Sequence, residues 1–428
     1  MRNLISAEAR SRFLVMVALV FSGEMIFSLP YHLLRYFRPT VLGVFEFSNA
    51  DLGDVFAPYG VTAMLAYFPG GVLADRFSTR KLMCVSLLMT AAGGFYMMTL
   101  PGMLGMSFLF AFWGVTTILT FWCALIRATR SWGGRFAQGR GFGLLDGGRG
   151  LAGASFASVG VLVFSAEIGP DPSLATAAER ATALQMVILY YTLVTLAAGI
   201  AVWWWISDDV PHERVRSSSA WSDVRAVLGT RSVWLQAVIV VCAYSGYKAL
   251  DNYSLYAYDV LGMNETEAAA FTATFVYTRP IAAILAGLAG DRFGVARMTI
   301  VVFGLLAACW ALLSTPAASP DLLMMLYVNL LITILGVYAL RGLYFALLEQ
   351  ARVPLPLTGA AVGLISVLGY LPDIFFSPIA GRLLDATPGV GGHQNCFAMM
   401  ACIAAVGLMV ATVLNRETGR QPDPAVSA

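Results

Sequence analysis

The sequence predicts an all-α membrane protein whose twelve transmembrane helices form two pseudo-symmetric six-helix bundles. Three observations carry that expectation. Of 428 residues, 58% are hydrophobic and 12% charged, too little polar surface to clothe a soluble globule of this length, and the mean hydropathy is +0.74. Apolar runs of roughly twenty residues, each able to cross a hydrocarbon layer about 30 Å thick as a helix, follow one another along nearly the whole chain. The runs are continuous rather than alternating, which favours helices over a β-barrel.

In order, the expected spans are 13–36, 52–74, 82–100, 103–127, 141–165, 184–206, 232–257, 266–290, 297–316, 321–348, 357–383 and 394–415. Residues 13–34 contain Glu24, lack a small-residue cleavage site and open a series of similar segments, so they read as a permanent helix and not a signal peptide. The longest polar connection, SDDVPHERVRSSSAWSDVRAVLGTR at 207–231, divides the chain into a bundle at 1–206, a linker, a second bundle at 232–415 and a tail at 416–428. If both termini are cytoplasmic, that side collects Arg2, Arg10, Arg12, Arg76, Arg80, Lys81, Arg127, Arg130, Arg135, Arg140, Arg214, Arg216, Arg225 and Arg231. Only Arg35, Arg38, Arg180 and Arg382 fall opposite. The positive-inside bias therefore places both ends in the cytoplasm.

Several function classes are excluded early. A net charge of +2 without a basic arm argues against nucleic acid. All six cysteines sit in apolar runs without ligand spacing, so neither a disulfide framework nor a metal site is expected, and no cofactor either. The only lysines are Lys81 and Lys248, and neither ends a Gly-x-x-x-x-Gly-Lys run, which excludes an ATP-driven pump within this chain. With no His-Glu-x-x-His or Gly-x-Ser-x-Gly group, an enzyme is not expected.

One stretch occurs twice. FPGGVLADRFSTRK at 68–81 returns as AGLAGDRFGVARM near 290. Asp75 and Asp291 are 291 − 75 = 216 positions apart, and the same offset carries Gly71 to Gly287, Arg76 to Arg292 and Phe77 to Phe293. The halves therefore read as structural repeats. Each copy lies where the second helix of its half meets the cytoplasm. The glycine is expected to admit a neighbouring helix, and the Asp-Arg pair to latch a helix end. GRLLD at 381–385 is a fainter echo.

These paired Gly-x-x-x-Asp-Arg loops, with twelve spans and a central linker, resemble the major facilitator superfamily over essentially the whole chain. The resemblance implies alternating-access transport by a monomer without cofactor. It also implies a cytoplasmic gate that holds the outward-open state, formed here by Gly71, Asp75, Arg76 and Arg80, with Asp291 and Arg292 as the second copy. Where the family usually has glycine three residues after the aspartate, the first copy has Ser78, while Gly294 keeps it in the second. The texture of helices 2, 5 and 11 is similar to bacterial members near the organophosphate and organic-anion branch, which implies the bacterial cytoplasmic (inner) membrane.

Charges inside a membrane are costly, so those that occur face a wet cavity or a partner. The set is Glu24, Asp146, Arg149, Lys248, Asp251, Arg279, Arg341 and Asp373. Asp146 with Arg149, and Lys248 with Asp251, are spaced i,i+3 and are expected to neutralise one another on one helix face. Glu24, Arg279, Arg341 and Asp373 have no local partner and are expected to act on solute, unless Glu24 pairs with an arginine of the other half. As substrate-binding residues the sequence offers Glu24, Arg149, Lys248, Asp251, Arg279, Arg341 and Asp373. The arginines lean towards an anionic solute, and Glu24 and Asp373 are the carboxylates that would exchange a proton. Expected partners are thus a small solute, protons or a counter-solute, and the bilayer. A proton-coupled sugar symporter, a multidrug-type exporter and a non-transporting solute sensor stand as alternatives. His32, in LPYHLLRYF, is a weak pointer to pH sensing, and the tyrosines Tyr253, Tyr256 and Tyr258 fit an interfacial aromatic belt.

Overall fold

The computed structural model describes residues 2–134, 138–169, 172–208, 225–316, 322–344, 346–347 and 358–420. Among these residues the secondary structure is helical, with no strand. α1 (Arg2–Met25) leads through a π turn at Ser28–His32 into α2 (Leu33–Tyr36), with a bend of 41° between the two arms. The continuous first span expected from the sequence is therefore broken. Pro30 has no N–H to donate one turn back, and the His32 N–H bonds five residues back to the Phe27 carbonyl at 3.4 Å. α3 (Arg38–Phe45) follows, and then α4 (Asn49–Arg76) and α5 (Thr79–Met97).

The fourth span, Met103–Gly133, consists of α6 (Met103–Gly114), a π segment (Val115–Trp122) and α7 (Cys123–Gly133). α8 (Gln138–Ile168) and α9 (Ala177–Trp205) are unbroken. α10 (Arg231–Ala249) continues through a 3-10 turn, Leu250–Asn252, into α11 (Tyr253–Asp259). α12 (Glu265–Val276) and α13 (Thr278–Phe293) form the next span. α14 (Val295–Leu313), α15 (Leu323–Leu343), α16 (Thr358–Gly369), α17 (Pro372–Ala386) and α18 (Val390–Arg420) complete the chain. Among the described residues, nine helices and one bent pair are long and apolar enough to span a membrane. With α4 (28 residues) and α5 (19 residues) the described residues make twelve.

Three helices start in the same way. Ser48 with Asp51, Thr176 with Glu179 and Asn264 with Glu267 form capping boxes at α4, α9 and α12, each satisfying two otherwise orphaned N–H groups. All three belong to even-numbered spans, so the side expected to face outward carries the strongest helix starts.

By packing, the chain resolves into two compact units. Unit 1 comprises 1–214, 251–280 and 377–381; unit 2 comprises 215–250, 281–376 and 382–428. This grouping differs from the sequence division at 207–231, because segments late in the chain pack with unit 1. Residues 209–224 of the expected linker lie outside the described residues. In unit 1, Ala154 and Ala157 of α8 meet Ala269 and Ala273 of α12 in one buried cluster, the small-on-small packing by which membrane helices approach closely. In unit 2, α14 packs on α18, where Gly407 leaves room for the buried ring of Phe303.

Candidate functional site

Unit 1 buries a five-member charge cluster. Glu24, 3% exposed, sits at the end of α1 just before the bend. Its Oε2 accepts from Arg149 Nε at 3.1 Å, its Oε1 lies 3.5 Å from Arg279 Nη1, and His32 Nε2 is 3.3 Å from Oε1. Arg279 reaches on to Asp146, with Nη2 donating to Oδ1 at 2.8 Å. The Arg149 guanidinium also lies over the rings of Trp122 and Phe27, at 5.6 and 5.7 Å, a cation–π setting that suits arginine. The expected i,i+3 pair of Asp146 with Arg149 does not form. Arg149 is buried and turned towards α1, whereas the half-exposed Asp146 side chain meets Arg279.

The glycines of α8 make this cluster possible. A Cβ at Gly153 would lie 2.6 Å from Glu24 Oε1, and one at Gly150 would lie 3.3 Å from Arg279 Cδ. Two glycines of the stretch GFGLLDGGRGLAGA at 141–154 thus make space for charged side chains.

Unit 2 holds a second group. Tyr244 donates its hydroxyl towards both oxygens of Asp373, each at 3.1 Å, and Lys248 Nζ lies 3.7 Å from Oδ1. Tyr370 meets Tyr244 edge-on at 4.8 Å, Tyr247 stacks on Tyr244 at 5.8 Å, and the Arg341 guanidinium stands 4.1 Å over the Tyr247 ring. Tyr244 and its neighbouring rings went unnoticed in the sequence because tyrosine is common at membrane interfaces. Only its helical spacing from Lys248 could have pointed to it.

Asp251 sits in the 3-10 turn between α10 and α11, where it accepts from Arg35 Nε at 2.7 Å. Lys248, expected to pair with Asp251, is seen in an ion pair with Asp373. Arg35, read from the sequence only as one of the few basic residues on the side opposite the cytoplasm, is thus a buried ion-pair partner. A second tie within unit 1 joins Arg180 to Glu265 at 2.9 Å. Buried charges gather at helix interruptions: Glu24 and His32 flank the bend after α1, Asp251 lies in a 3-10 turn, Arg279 follows the Val276–Thr278 break, and Asp373 opens α17. Such breaks free backbone groups at membrane depth and are tolerated where protein or a polar cavity re-satisfies them.

The twin loops differ from expectation in one respect. A Cβ at Gly71 or Gly287 would meet nothing within 4 Å among the described residues; the close approaches occur beside them, at Gly70, 3.0 Å from the Leu119 carbonyl, and at Gly290, 3.1 Å from Leu343. The Asp75 side chain lies outside the described residues. Arg76, Asp291 and Arg292 are exposed, and Arg292 stands 5.5 Å over Phe293. Arg127 donates to the Ala74 carbonyl. Arg80 bridges to Asp208 at 2.9 Å and lies 4.6 Å over Trp203, while Ser78 donates to the same carboxylate and Lys81 stands 3.5 Å away.

The Ser78 hydroxyl, with Arg80 and Lys81, holds the Asp208 carboxyl below the usual carboxylate range. A carboxylate with a depressed folded value contributes stability above its unfolded value of about 4, and that contribution fades as pH falls through the folded value. Asp208→Asn is therefore expected to lower the melting temperature slightly at pH 7 and to leave it unchanged in strong acid. Because the group is exposed, high salt should erase the difference. An equal loss at both pH values would rule out the ionic account.

Comparison with known proteins follows the same lines. A family model described as Major Facilitator Superfamily matches residues 13–377. The inner membrane protein YqcE of Escherichia coli K12 is 31% identical over 413 residues, covering 93% of each chain. A second inner membrane protein of that organism, YihN, is 25% identical, covering 96% of this chain and 97% of its own length. Among solved structures, a bacterial homologue of the human lysosomal transporter Spinster, in an inward-facing conformation, superposes with a TM-score of 0.74 at 12% identity, covering 97% of this chain and 99% of its own. A D-xylose–proton symporter gives 0.73 at 14% identity, covering 94% and 97%.

Proposed function

Because the chain belongs to the major facilitator superfamily, we propose that its buried charges bind and move a small polar, anionic organic solute by alternating access, coupled to protons or a counter-solute. The chain is a membrane transporter and not an enzyme. In the proposed reading it lies in a bacterial inner membrane with both termini cytoplasmic and works as a monomer. Within unit 1, Glu24, Arg149 and Arg279 bind solute or position groups that do, and Asp251, held by Arg35, belongs with them; within unit 2, Lys248, Arg341 and Asp373 form a second candidate set. Protons exchange at the groups built around the Glu24 and Asp373 carboxylates, and Gly71, Asp75, Arg76, Arg80, Asp291 and Arg292 form the cytoplasmic gate.

One observation carries the anionic reading. Lys248 stands 3.7 Å from Asp373, and the Arg341 guanidinium lies over Tyr247, whose ring stacks on Tyr244, the hydroxyl partner of Asp373. Two cationic side chains gathered in one low-dielectric group favour an anion there. The aromatic set Tyr244, Tyr247 and Tyr370 beside a carboxylate supports a second reading, a neutral sugar lying against the rings.

A thermal-shift screen of the purified chain against organic acids, sugar phosphates, neutral sugars and cationic drugs at two pH values separates the two, because a bound solute stabilises the native state by mass action. Stabilisation by organic acids or sugar phosphates that is lost in Arg341→Ala supports the anionic reading. Stabilisation by neutral sugars alone, unchanged in Arg341→Ala, replaces it with the sugar reading.

A further inference from the structure

We infer that His32 is the group that receives the coupling proton at the Glu24 cluster. The inference rests, for its use in transport, on the reading above. Its geometry is independent of that reading.

His32 is 4% exposed, and its Nε2 faces Glu24 Oε1 at 3.3 Å. A carboxylate only accepts, so Nε2 carries the hydrogen of the neutral ring and Nδ1 presents a lone pair. That Nδ1 is buried without a hydrogen-bond partner among the described residues. An incoming proton forms one bond, to Nδ1, and breaks none within the protein; the ring becomes an imidazolium with both nitrogens donating.

The surroundings make that step matter. Glu24 from α1, Asp146 and Arg149 from α8 and Arg279 from α13 lie on the carboxylate side of the ring. Tyr36 from α2 and Tyr191 from α9 flank it, with ring centroids at 5.6 and 6.3 Å, and the Tyr191 hydroxyl is likewise buried without a partner among the described residues. On α5 it is Gly94 that meets this turn, at Leu29. The two carboxylates and two arginines cancel while the imidazole is neutral, and a protonated imidazole leaves the cluster at +1. That third cation competes with Arg279, the longer of the two arginine contacts, for Glu24 Oε1. It also makes the cluster a better anion site. By linkage, bound anion and bound proton then favour each other.

The repeat supports the position. The offset of 216 that aligns the twin loops carries His32 onto Lys248, because 32 + 216 = 248. In both halves, then, a basic side chain occupies this place beside a buried carboxylate.

The full-length chain has three histidines, so nitrogen-15 histidine NMR in nanodiscs tests the inference directly. The His32 resonances are assigned with H212N and H393N, which leave the cluster intact. The expected result is that acidification adds a proton at His32 Nδ1 in the wild type and not in E24Q. A His32 ring whose charge state acidification does not change, or changes identically in E24Q, overturns it. The solute screen and this titration can fail separately, since NMR on the wild-type chain needs no solute and the screen needs no histidine.

Discussion

Arg279→Ala is expected to abolish transport and to destabilise the chain in nanodiscs. The side chain is 5% exposed and ties Glu24 on α1 to Asp146 on α8, with contacts of 3.5 and 2.8 Å. Removing one partner of a buried charge network costs about 3–5 kcal/mol, most of it the penalty of the carboxylate left behind. Arg279→Lys should recover only part, since a point-charge ammonium cannot reach two carboxylates in a fixed fork. If Arg279→Ala matched wild type in melting temperature and in vesicle uptake, the network would carry neither stability nor function.

Substituting valine at Gly53 or Gly381 should also be severe. A methyl at Gly53 would lie 2.8 Å from Pro378 Cα and nearer still to the Ser377 carbonyl; at Gly381 it would lie 2.8 Å from Ala50 Cα and nearer to the Asn49 carbonyl. These obstacles are backbone, which cannot swing aside as a flexible side chain can, so overpacking here costs at least about 1–3 kcal/mol. Both contacts join the start of α4 to α17 within unit 1, on the side expected to face outward. The variants should insert normally, lose uptake, and show faster hydrogen exchange in residues 48–53 and 377–381. Normal uptake with unchanged exchange would mean that the approach has no part in the cycle.

Much of the fold was legible because membrane spans declare themselves by length and apolarity. The charged residues stood out by rarity, and Glu24, Asp146, Arg149, Lys248, Asp251, Arg279 and Asp373 reappear in ion pairs. Their partners were less legible. Spacing along one helix favoured Asp146 with Arg149, but Arg149 pairs with a residue 125 positions away, and local spacing carries no information about that separation. The breaks near Pro30 and Pro372 each carry a proline, although 13–36 reads from the sequence as one continuous span. The break before Thr278 is followed by Pro280, which has no N–H to give to the Val276 carbonyl, whereas the turn at Leu250–Asn252 has no proline. Asp208 was hidden in the linker, where an acidic residue is unremarkable until Ser78 and Arg80 are seen against it.

Arg35 and Asp251 are separated by 216 positions, the very offset that relates Asp75 to Asp291. They are one position of the repeat, occupied once by a cation and once by an anion, and they touch. Two arginines or two aspartates at that contact would repel; a cation facing an anion instead neutralises the pair where both side chains are buried, so the difference between the two copies is what lets the contact close.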